Sequence, residues 1–448
     1  MLTLLLAAVL AFALTACGST GGETEPQSTK APETTLAPAP PEKETEPAKD
    51  PDPTYSLVQN VYNWGSSYSK IILPIVGADG VDYTDVSKYT VAVQRYDAAE
   101  TLLDEGTRVV TAAYLSNAEG EAAADGEYVT LEMEVGAAIS LSAPYYTDPN
   151  SFYGQLKAWA TCKYDVTNAA SGEKWNQLNT VYHPDEEAFA TGTFTASDAT
   201  VIPFASYAPA EDGANHPLIV WLHGAGSGGT DIGFVTGGML VTNFISEESQ
   251  AIFGGTHVLL PQSVTFWLDD GGQYHYTQDG TSTYTKAMME LIEEYCTKNP
   301  TVDKNRIYIG GCSAGGFMTM NMLLNYPDYF AATFPVCGAY ADAWITEDQL
   351  QSIKDIPAWF VHCSADPVVD PTTTTNLTYD RFVTAGAADV HYTQYASIVD
   401  PDYGNEYGGH FAWVPALKNL CNTNLDGSPV VVNGAEVNLF QWLATQSK

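Results

Sequence analysis

The sequence predicts two folded domains: an α/β domain built on a doubly wound, mostly parallel sheet, and an all-β sandwich before it. Three observations lead to this prediction. Hydrophobic residues alternate with a period of two between residues 55 and 200, whereas after residue 201 apolar runs alternate with helical stretches. The chain has 448 residues, 45% of them hydrophobic, which is enough for more than one full-sized core.

The N-terminal segment predicts export. Residues 1–16, MLTLLLAAVLAFALTA, form an apolar run that ends in small residues and is too short to span a bilayer as a helix, which is typical of a secretory signal. The sequence Leu14, Thr15, Ala16 and Cys17 resembles a bacterial lipobox. That resemblance implies cleavage before Cys17, lipid attachment to its thiol, and an extracytoplasmic lipoprotein of the bacterial cell envelope.

Residues 17–54 predict a disordered tether. Their composition is dominated by Glu, Thr, Pro, Ala and Lys, with few large apolar side chains. Such a segment buries too little apolar surface to offset the entropy of ordering. Proline and repelling charges keep a chain extended. We therefore expect this stretch to hold the folded domains away from the envelope.

The charge and the cysteines exclude several classes of function. Lys and Arg total 18 against 54 Asp and Glu, a formal net charge of -36, so nucleic acid is not an expected partner and a membrane is expected only through the lipid anchor. Oligomeric state is not predicted. The six cysteines other than Cys17 show no CxxC pairing, so we expect mostly buried free thiols and leave disulfides open.

The period-two region, residues 55–200, predicts short half-buried strands. YVTLEMEV and KYTVAVQRY alternate apolar and polar residues, and SKIILPI, TRVVTAAYL and GQLKAWATCKYDV add further candidates. The region contains no convincing amphipathic helix. A β-sandwich is the natural way to close such strands around a core.

The region 201–448 predicts the α/β domain. PLIVWL, HVLLP, RIYIG, ATFPV and PAWFVHC are short apolar runs suited to parallel strands that are buried on both faces. Between two of them, STYTKAMMELIEEYCTK places its apolar residues on one helical face. Functional residues are expected at the carboxyl ends of such strands.

A GxSxG motif at residues 311–315 supplies a candidate nucleophile, Ser313. It follows a strand-like run and precedes a predicted helix at residues 314–326. A sharp strand-to-helix turn exposes the serine side chain, and the flanking Gly311 and Gly315 leave room for close backbone approach. The alternative is an ordinary serine in a glycine-rich helix start.

A nucleophilic serine needs an acid and a base, which in this fold follow it in the order Asp, His. Asp366 follows the strand PAWFVHC and is favoured over its neighbour Asp370; alternatively, Asp366 only caps the next helix. Of the two later histidines, His391 sits in a strand-like run. His410 sits in a glycine-rich loop and is the favoured base, with a structural histidine as the alternative.

Two backbone N–H groups are expected to stabilise an oxyanion. One is that of Ala314, at the positive end of the predicted helix. The second is expected in LHGAGSGG, where Ala225 is the first choice and Gly224 the second. His223 is expected to brace this loop. Gly224 and Trp267 are also candidates for substrate binding, although Trp267 is about as well explained as a buried side chain.

Other site types find less support. Gly224, Gly226 and Gly229 also fit GxGxxG, but no clean helix follows on which a pyrophosphate would sit, so a dinucleotide site is disfavoured. HExxH, CxxC pairs and acidic calcium loops are absent from the sequence. No metal and no cofactor are predicted.

The strings LHGAGSGG, DKNRIYIGGCSAGGFMT, HCSADPVV and GGHFAWVPAL together resemble the carbohydrate-esterase and polyhydroxyalkanoate-depolymerase-like branch of the α/β-hydrolases, over residues 201–448. NWGSSYSKIILPI resembles the start of the immunoglobulin-like domain that precedes some of these esterases. The resemblance implies hydrolysis of feruloyl, acetyl or short-chain acyl esters through an acyl-enzyme. It implies these roles: Ser313 as nucleophile, Asp366 as orienting acid, His410 as acid and base, and Ala314 with Ala225 as oxyanion donors.

Two other functions stay open at this stage. A serine peptidase of the prolyl-oligopeptidase type shares the fold and the residue order, but it normally carries a repeat-built propeller, and no repeat is visible here. A non-enzymatic surface lipoprotein that binds solutes fits the anchor, tether and acidity. It leaves unexplained why Ser, Asp and His each follow a strand in the required order.

Overall fold

The structure, a computed structural model, describes residues 53–75 and 80–448. The predicted signal (residues 1–16), Cys17 and the tether up to residue 52 lie outside the described residues, so those predictions stay untested. Among the described residues, no helix combines the length and apolar character needed to cross a bilayer. Both folded domains belong to one compact unit.

The N-terminal domain is the predicted β-sandwich. A five-stranded sheet of order β11-β1-β2-β6-β5 faces a four-stranded sheet of order β10-β9-β3-β4, and β7 pairs with β8 in a separate hairpin. The strands are β1 Thr54–Tyr62, β2 Gly65–Pro74, β3 Tyr89–Tyr96, β4 Leu102–Arg108, β5 Val110–Ser116, β6 Tyr128–Met133, β7 Tyr145–Thr147, β8 Lys157–Trp159, β9 Thr161–Asn168, β10 Lys174–Trp175 and β11 Gln177–Tyr182.

Period-two alternation produces the core of this sandwich. Along β3, Tyr89, Val91 and Val93 point inwards and are buried, while the residues between them are more exposed. The stretch TRVVTAAYL, which reads as one strand, is divided between β4 and β5 in different sheets. The chain crosses between sheets at Val109, which is 57% exposed. Alternation alone does not reveal such a corner.

The C-terminal domain has the predicted α/β architecture. Its eight-stranded sheet has the order β12-β13-β15-β14-β16-β17-β18-β19, antiparallel from β12 to β15 and parallel beyond. The strands are β12 Ala190–Thr195, β13 Val201–Tyr207, β14 His216–Leu222, β15 His257–Pro261, β16 Val302–Cys312, β17 Ala332–Val336, β18 Ala358–Cys363 and β19 Val390–Tyr395. Two small ribbons pair β20 Ile398–Val399 with β21 Glu406–Tyr407, and β22 Val431–Val432 with β23 Ala435–Glu436.

The domain boundary lies earlier than the predicted residue 201. Strand β12 pairs with β13 along its whole length and so belongs to the second sheet. The sequence does not separate β12 from the sandwich, because an antiparallel edge strand keeps one exposed face and therefore has the same period of two as the sandwich strands. The strands inside the sheet, such as β14, are buried along their whole length, as predicted.

Helices cover both faces of the sheet. Residues from α3, α4, α5 and α6 join one hydrophobic core, and residues from α1, α2, α7 and α8 join the other. The helices are α1 Gly233–Thr236, α2 Glu247–Phe253, α3 Thr285–Lys298, α4 Ala314–Asn325, α5 Glu347–Ile353, α6 Thr375–Thr384, α7 Trp413–Leu417 and α8 Leu439–Ala444. Helix α3 buries the predicted apolar face.

The six cysteines among the described residues are free thiols, and five of them are buried. Only Cys162, in the sandwich, is partly exposed. This agrees with the expectation of buried free thiols in the folded domains. The strand ends that matter for the site, those of β14, β16 and β18, lie at one edge of the parallel part of the sheet.

Candidate active site

Ser313 stands at the sharp turn between β16 and α4. Its backbone has φ 56° and ψ -116°, a conformation that L-residues rarely adopt. A Cβ on Gly311 would lie 2.6 Å from the Leu222 carbonyl oxygen, and one on Gly315 only 1.9 Å from it. Any side chain at either position would displace β14. The predicted reason for both glycines is therefore confirmed.

The surrounding backbone holds this turn in place. The N–H of Ser313 donates to the Val336 carbonyl at 2.9 Å, and the Ser313 carbonyl accepts from Phe317 at 2.9 Å and from Ala339 at 3.1 Å. A strained residue of this kind costs about 1–3 kcal/mol and persists only where its neighbours determine its conformation. Three backbone hydrogen bonds, to the end of β17, from α4 and from the loop after β17, meet that requirement.

The structure brings the three predicted side chains into one hydrogen-bonded row. His410 Nε2 lies 2.9 Å from Ser313 Oγ, and His410 Nδ1 lies 2.7 Å from Asp366 Oδ2. His410 sits on the 3₁₀ turn Gly409–Phe411, in the predicted glycine-rich loop. A Cβ on Gly409 would lie 2.5 Å from the Ala365 carbonyl oxygen, so a glycine there lets the loop approach Asp366 closely.

Asp366 receives four hydrogen bonds. His410 and His362 point at Oδ2, at 2.7 and 3.1 Å, and the N–H groups of Val368 and Val369 donate to Oδ1 at 2.8 and 3.1 Å. Burial alone would raise the pKa of this carboxyl group. The hydrogen bonds from His362 and His410 outweigh burial and hold the pKa of Asp366 well below its usual range.

Sequence reasoning assigned no role to His362, at the end of β18. Its side chain is fully buried, with Nε2 facing Asp366 Oδ2 and the Val369 carbonyl, and Nδ1 at 2.8 Å from Thr375 Oγ1. With its hydrogen on Nε2, the ring donates towards the carboxylate and accepts from the threonine hydroxyl. The available signal was the histidine four residues before Asp366 in HCSAD.

The rival candidates lie elsewhere. Asp370 is exposed, and its carboxylate accepts from the N–H and the hydroxyl of Thr372. His391 lies in β19, as predicted, where it faces Asp389 and Asn424. Neither side chain takes part in the row around Ser313.

The loop of residues 224–238, which we call the glycine loop, passes beside Ser313. A Cβ on Gly224 would lie 3.7 Å from Ser313 Cβ, so the backbone runs in direct contact with the serine. Ala225 is the first residue of a 3₁₀ turn and Ala314 is the first residue of α4. Backbone N–H groups at such positions have no intrahelical acceptor and are free to bind an anion. Gly224, the second choice, is the N-cap residue of that 3₁₀ turn.

His223 braces the glycine loop, as expected. Its ring is buried, Nδ1 lies 2.7 Å from the Gly224 carbonyl, and Nε2 accepts from the Ser263 N–H at 3.1 Å. Burial lowers the pKa of His223 to about 4, although the contact with Gly224 partly opposes that shift. The ring is therefore neutral at physiological pH. This fits a structural side chain.

Trp267 does not border the site, which corrects its assignment to substrate binding. The side chain is fully buried, and its indole N–H donates to the His223 carbonyl at 3.0 Å. Its ring packs against His223 and Tyr284, with centroids 5.0 and 5.4 Å away. A buried indole N–H needs a hydrogen-bond acceptor, and here the acceptor is the carbonyl of His223, the residue just before the glycine loop. Trp267 therefore supports the loop from within the core.

The glycine loop does not offer a dinucleotide site. After Gly229 the chain forms only the four-residue α1 before a further 3₁₀ turn, Val241–Ile245. Separately, potential metal-ligand atoms of Cys337, Asp366 and His410 lie within 4.8 Å of one another. Two of these groups already hydrogen-bond each other in the row. The Cys337 thiol donates to the His410 carbonyl.

Comparison with known proteins agrees with the fold of both domains. Residues 208–399 match the phospholipase/carboxylesterase family model, and residues 54–179 match the model of the esterase Ig-like N-terminal domain. A thermostable esterase of known crystal structure superposes with a TM-score of 0.68 and 23% identity, over 88% of this chain and 100% of that one. That likeness confirms the fold.

One curated relative also matches. Poly(3-hydroxyalkanoate) depolymerase C of Paucimonas lemoignei is 30% identical over 140 residues, which cover 28% of this chain and 28% of the depolymerase. The match thus spans less than a third of that protein. Together, the comparisons show that the C-terminal domain is similar to the phospholipase/carboxylesterase family model and has the fold of a known esterase structure, and that the domain before it is similar to the esterase Ig-like N-terminal domain.

Proposed function

We propose that this α/β-hydrolase-fold protein is a serine esterase that works through an acyl-enzyme on Ser313. The observation that carries the proposal is the row from Ser313 through His410 to Asp366, with distances of 2.9 and 2.7 Å. Hydrogen-bonded serine, imidazole and carboxylate are the parts required for nucleophilic acyl transfer.

The first half of the reaction transfers the acyl group to the enzyme. Ser313 Oγ attacks the ester carbonyl carbon while His410 Nε2 takes the hydroxyl proton. The N–H groups of Ala314 and Ala225 stabilise the negative charge on the carbonyl oxygen. The tetrahedral intermediate then collapses, the bond to the alcohol oxygen breaks, and His410 returns the proton to the departing alcohol.

The second half releases the acid. Water attacks the acyl carbon as His410 Nε2 removes its proton, and the same N–H groups hold the second oxyanion. When the intermediate collapses, the bond to Ser313 Oγ breaks and the proton returns to that oxygen. Asp366 stays ionised throughout, because its pKa is held below the usual range. It fixes the hydrogen of His410 on Nδ1 and stabilises the transient imidazolium.

For substrate and location we propose an extracytoplasmic enzyme, anchored through lipid on Cys17. It would act on feruloyl, acetyl or short-chain acyl esters, including those carried by plant polysaccharide. The sequence resemblance supports this substrate class, and the similarity to a polyester depolymerase is consistent with esters carried on a polymer. The net charge of -36 favours neutral over anionic polymers.

Hydrolysis and covalent labelling test this function together. The full-length protein should hydrolyse p-nitrophenyl acetate and react with a fluorophosphonate, and Ser313→Ala should do neither. Ser447→Ala, which changes an exposed serine near the C-terminus, is the matched control and should do both. Labelling that persists in Ser313→Ala would refute the nucleophile.

A substrate panel separates the two remaining alternatives. Faster turnover of peptide than of ester substrates would favour a peptidase. Saccharide binding by a protein that neither turns over esters nor reacts with the fluorophosphonate would favour a binding lipoprotein.

A further inference from the structure

A segment of the Ig-like domain runs along the glycine loop. It consists of residues 155–159, which enter and form β8. A Cβ on Gly226 would lie 3.5 Å from the Gln155 carbonyl oxygen, and one on Gly228 would lie 3.1 Å from Leu156 Cδ2. A side chain at either glycine would therefore reach the segment, so the two stretches of chain lie close together. Gly226 and Gly228 are the next small residues after Ala225 in the glycine loop.

Trp159, at the end of the same segment, contacts the middle of the glycine loop at Asp231 and Phe234. The indole N–H of Trp159 donates to Asp231 Oδ2 at 2.6 Å. The Trp159 ring stacks on Phe234, with centroids 4.3 Å apart and planes 20° from parallel. Contacts between the Ig-like domain and the loop thus extend from Gly226 to Phe234.

Lys157 lies at the centre of this contact. Its Nζ donates to the Gly238 carbonyl at 3.3 Å and sits 4.3 Å from the centroid of the Tyr145 ring. Its aliphatic stem reaches Gly226, where a Cβ would lie 3.9 Å from Lys157 Cε. One side chain therefore hydrogen-bonds Gly238 and lies near Gly226, twelve residues earlier in the glycine loop.

The charge of Lys157 is unusual in its setting. Within the described parts of the chain, no carboxylate forms an ion pair with this ammonium, although the protein has three times as many acidic as basic residues. Burial lowers the pKa of Lys157 to about 8, while electrostatic interaction with Cys312 acts in the opposite direction.

We propose that Lys157 is a positioning residue through which the Ig-like domain holds the glycine loop, and so the N–H of Ala225, against Ser313. The inference rests on the proposed esterase function. The Lys157 ammonium holds the Gly238 carbonyl at the far end of the glycine loop, while its stem lies beside Gly226 in the Ala225 turn.

Lys157→Met tests this role, because methionine keeps the aliphatic stem and removes the charge and the donor. Lys163→Met is the matched control: Lys163 lies in the same domain, with Nζ 4.5 Å from the centroid of the Tyr96 ring. In full-length protein, Lys157→Met should lower kcat by about tenfold with KM within about twofold. Lys163→Met should match the wild type.

A second readout separates positioning from general stability. A trifluoromethyl ketone bound to the serine forms an oxyanion, so its inhibition constant should rise with Lys157→Met by about the factor lost in kcat. Lys157→Arg, which keeps a charge and donors, should recover most of both losses. Values for Lys157→Met that equal those of Lys163→Met, in kcat and in inhibition, would overturn the proposal.

Trp159→Phe keeps the proposal testable if Lys157→Met fails to fold. This change removes the hydrogen bond to Asp231 and keeps an aromatic ring to stack on Phe234, and it should lower kcat by about twofold to threefold without raising KM. An unchanged kcat would overturn the proposal. Failure of the esterase function itself looks different, because the wild type would then neither turn over ester nor react with fluorophosphonate.

Discussion

Asp366 and the glycine loop both contact the centre of the site, and the structure holds them in different ways. Asp366 is held by four hydrogen bonds, all from the hydrolase domain, and two of them come from residues within three positions along the chain. The glycine loop is held by single contacts from two domains: His223, itself supported by Trp267, on one side, and Lys157 and Trp159 on the other.

The difference follows from what each part must do. A carboxylate that stays ionised needs several donors at short range, and a loop after one strand can supply them. An oxyanion site needs two N–H groups from separate segments at a fixed spacing. Contacts between parts of the chain that are distant in sequence therefore determine how accurately the two groups are placed. Substitutions at the acid should therefore change charge and proton transfer, whereas substitutions around the loop should change transition-state affinity.

The largest expected effect is at the acid. Asp366→Asn keeps the shape of the side chain, but its amide donates to His410 Nδ1 and so favours hydrogen on Nε2, the wrong tautomer for accepting the serine proton. We expect kcat to fall by about 10³–10⁴ with little change in KM. Asp370→Asn, four residues on and exposed, is the control for steady-state kinetics. An equal loss of kcat in Asp366→Asn and Asp370→Asn would show that Asp366 is not the acid that orients His410.

A smaller loss is expected at the glycine loop. Ala225→Pro removes one N–H, and proline fits the first position of a helical turn. Gly224 has φ -72° and ψ 169°, which suits the residue before a proline. We expect kcat to fall by about 10²–10³ while the melting temperature stays near that of the wild type. Full activity with proline at 225 would show that the second oxyanion donor lies elsewhere.

The smallest effect should come from His362→Phe, which removes one donor to Asp366. A hydrogen bond to a charged group contributes about 1.5–3 kcal/mol, so we expect a loss of roughly that size in unfolding free energy at neutral pH. Because the folded pKa of Asp366 is lowered, its stabilisation is present above the unfolded pKa and fades as pH falls.

Urea unfolding at several pH values measures this dependence. The gap between wild type and His362→Phe should be constant near neutral pH and shrink below about pH 4, where an unfolded Asp takes up its proton. Thr375→Val, which removes the hydroxyl partner of His362 and leaves the Asp366 bond, serves as the comparison. A gap that does not change with pH would contradict the link to Asp366.

Sequence alone predicted the parts of the molecule that depend on local pattern. Local sequence patterns mark the turn around Ser313 and the buried strands. They also mark Asp366 and His410, because each functional residue lies in a short segment of recognisable composition at the sheet edge. The apolar run of β14 and the glycines at 311 and 315 have the physical roles that their sequence indicated.

Features that depend on distant contacts could not be predicted. Trp267 is buried because its indole N–H bonds the distant His223 carbonyl. His362 contacts Asp366 because the loop after β18 brings the carboxylate back to the end of that strand. Strand β12 has the period of a sandwich strand but joins the other sheet. The contact between Lys157 and Gly238 joins two domains, and no local pattern in either segment encodes it.

The central claim is that Ser313 carries the acyl group during turnover. Rapid acid quenching of the full-length protein during hydrolysis of p-nitrophenyl acetate, followed by peptide mass mapping, tests it most directly. We predict an acetyl group on the peptide that contains Ser313, absent from Ser313→Ala and accumulating in Ala225→Pro no faster than in the wild type. Turnover with the acetyl group on another residue, or with no acyl-enzyme and an unimpaired Ser313→Ala, would contradict the account.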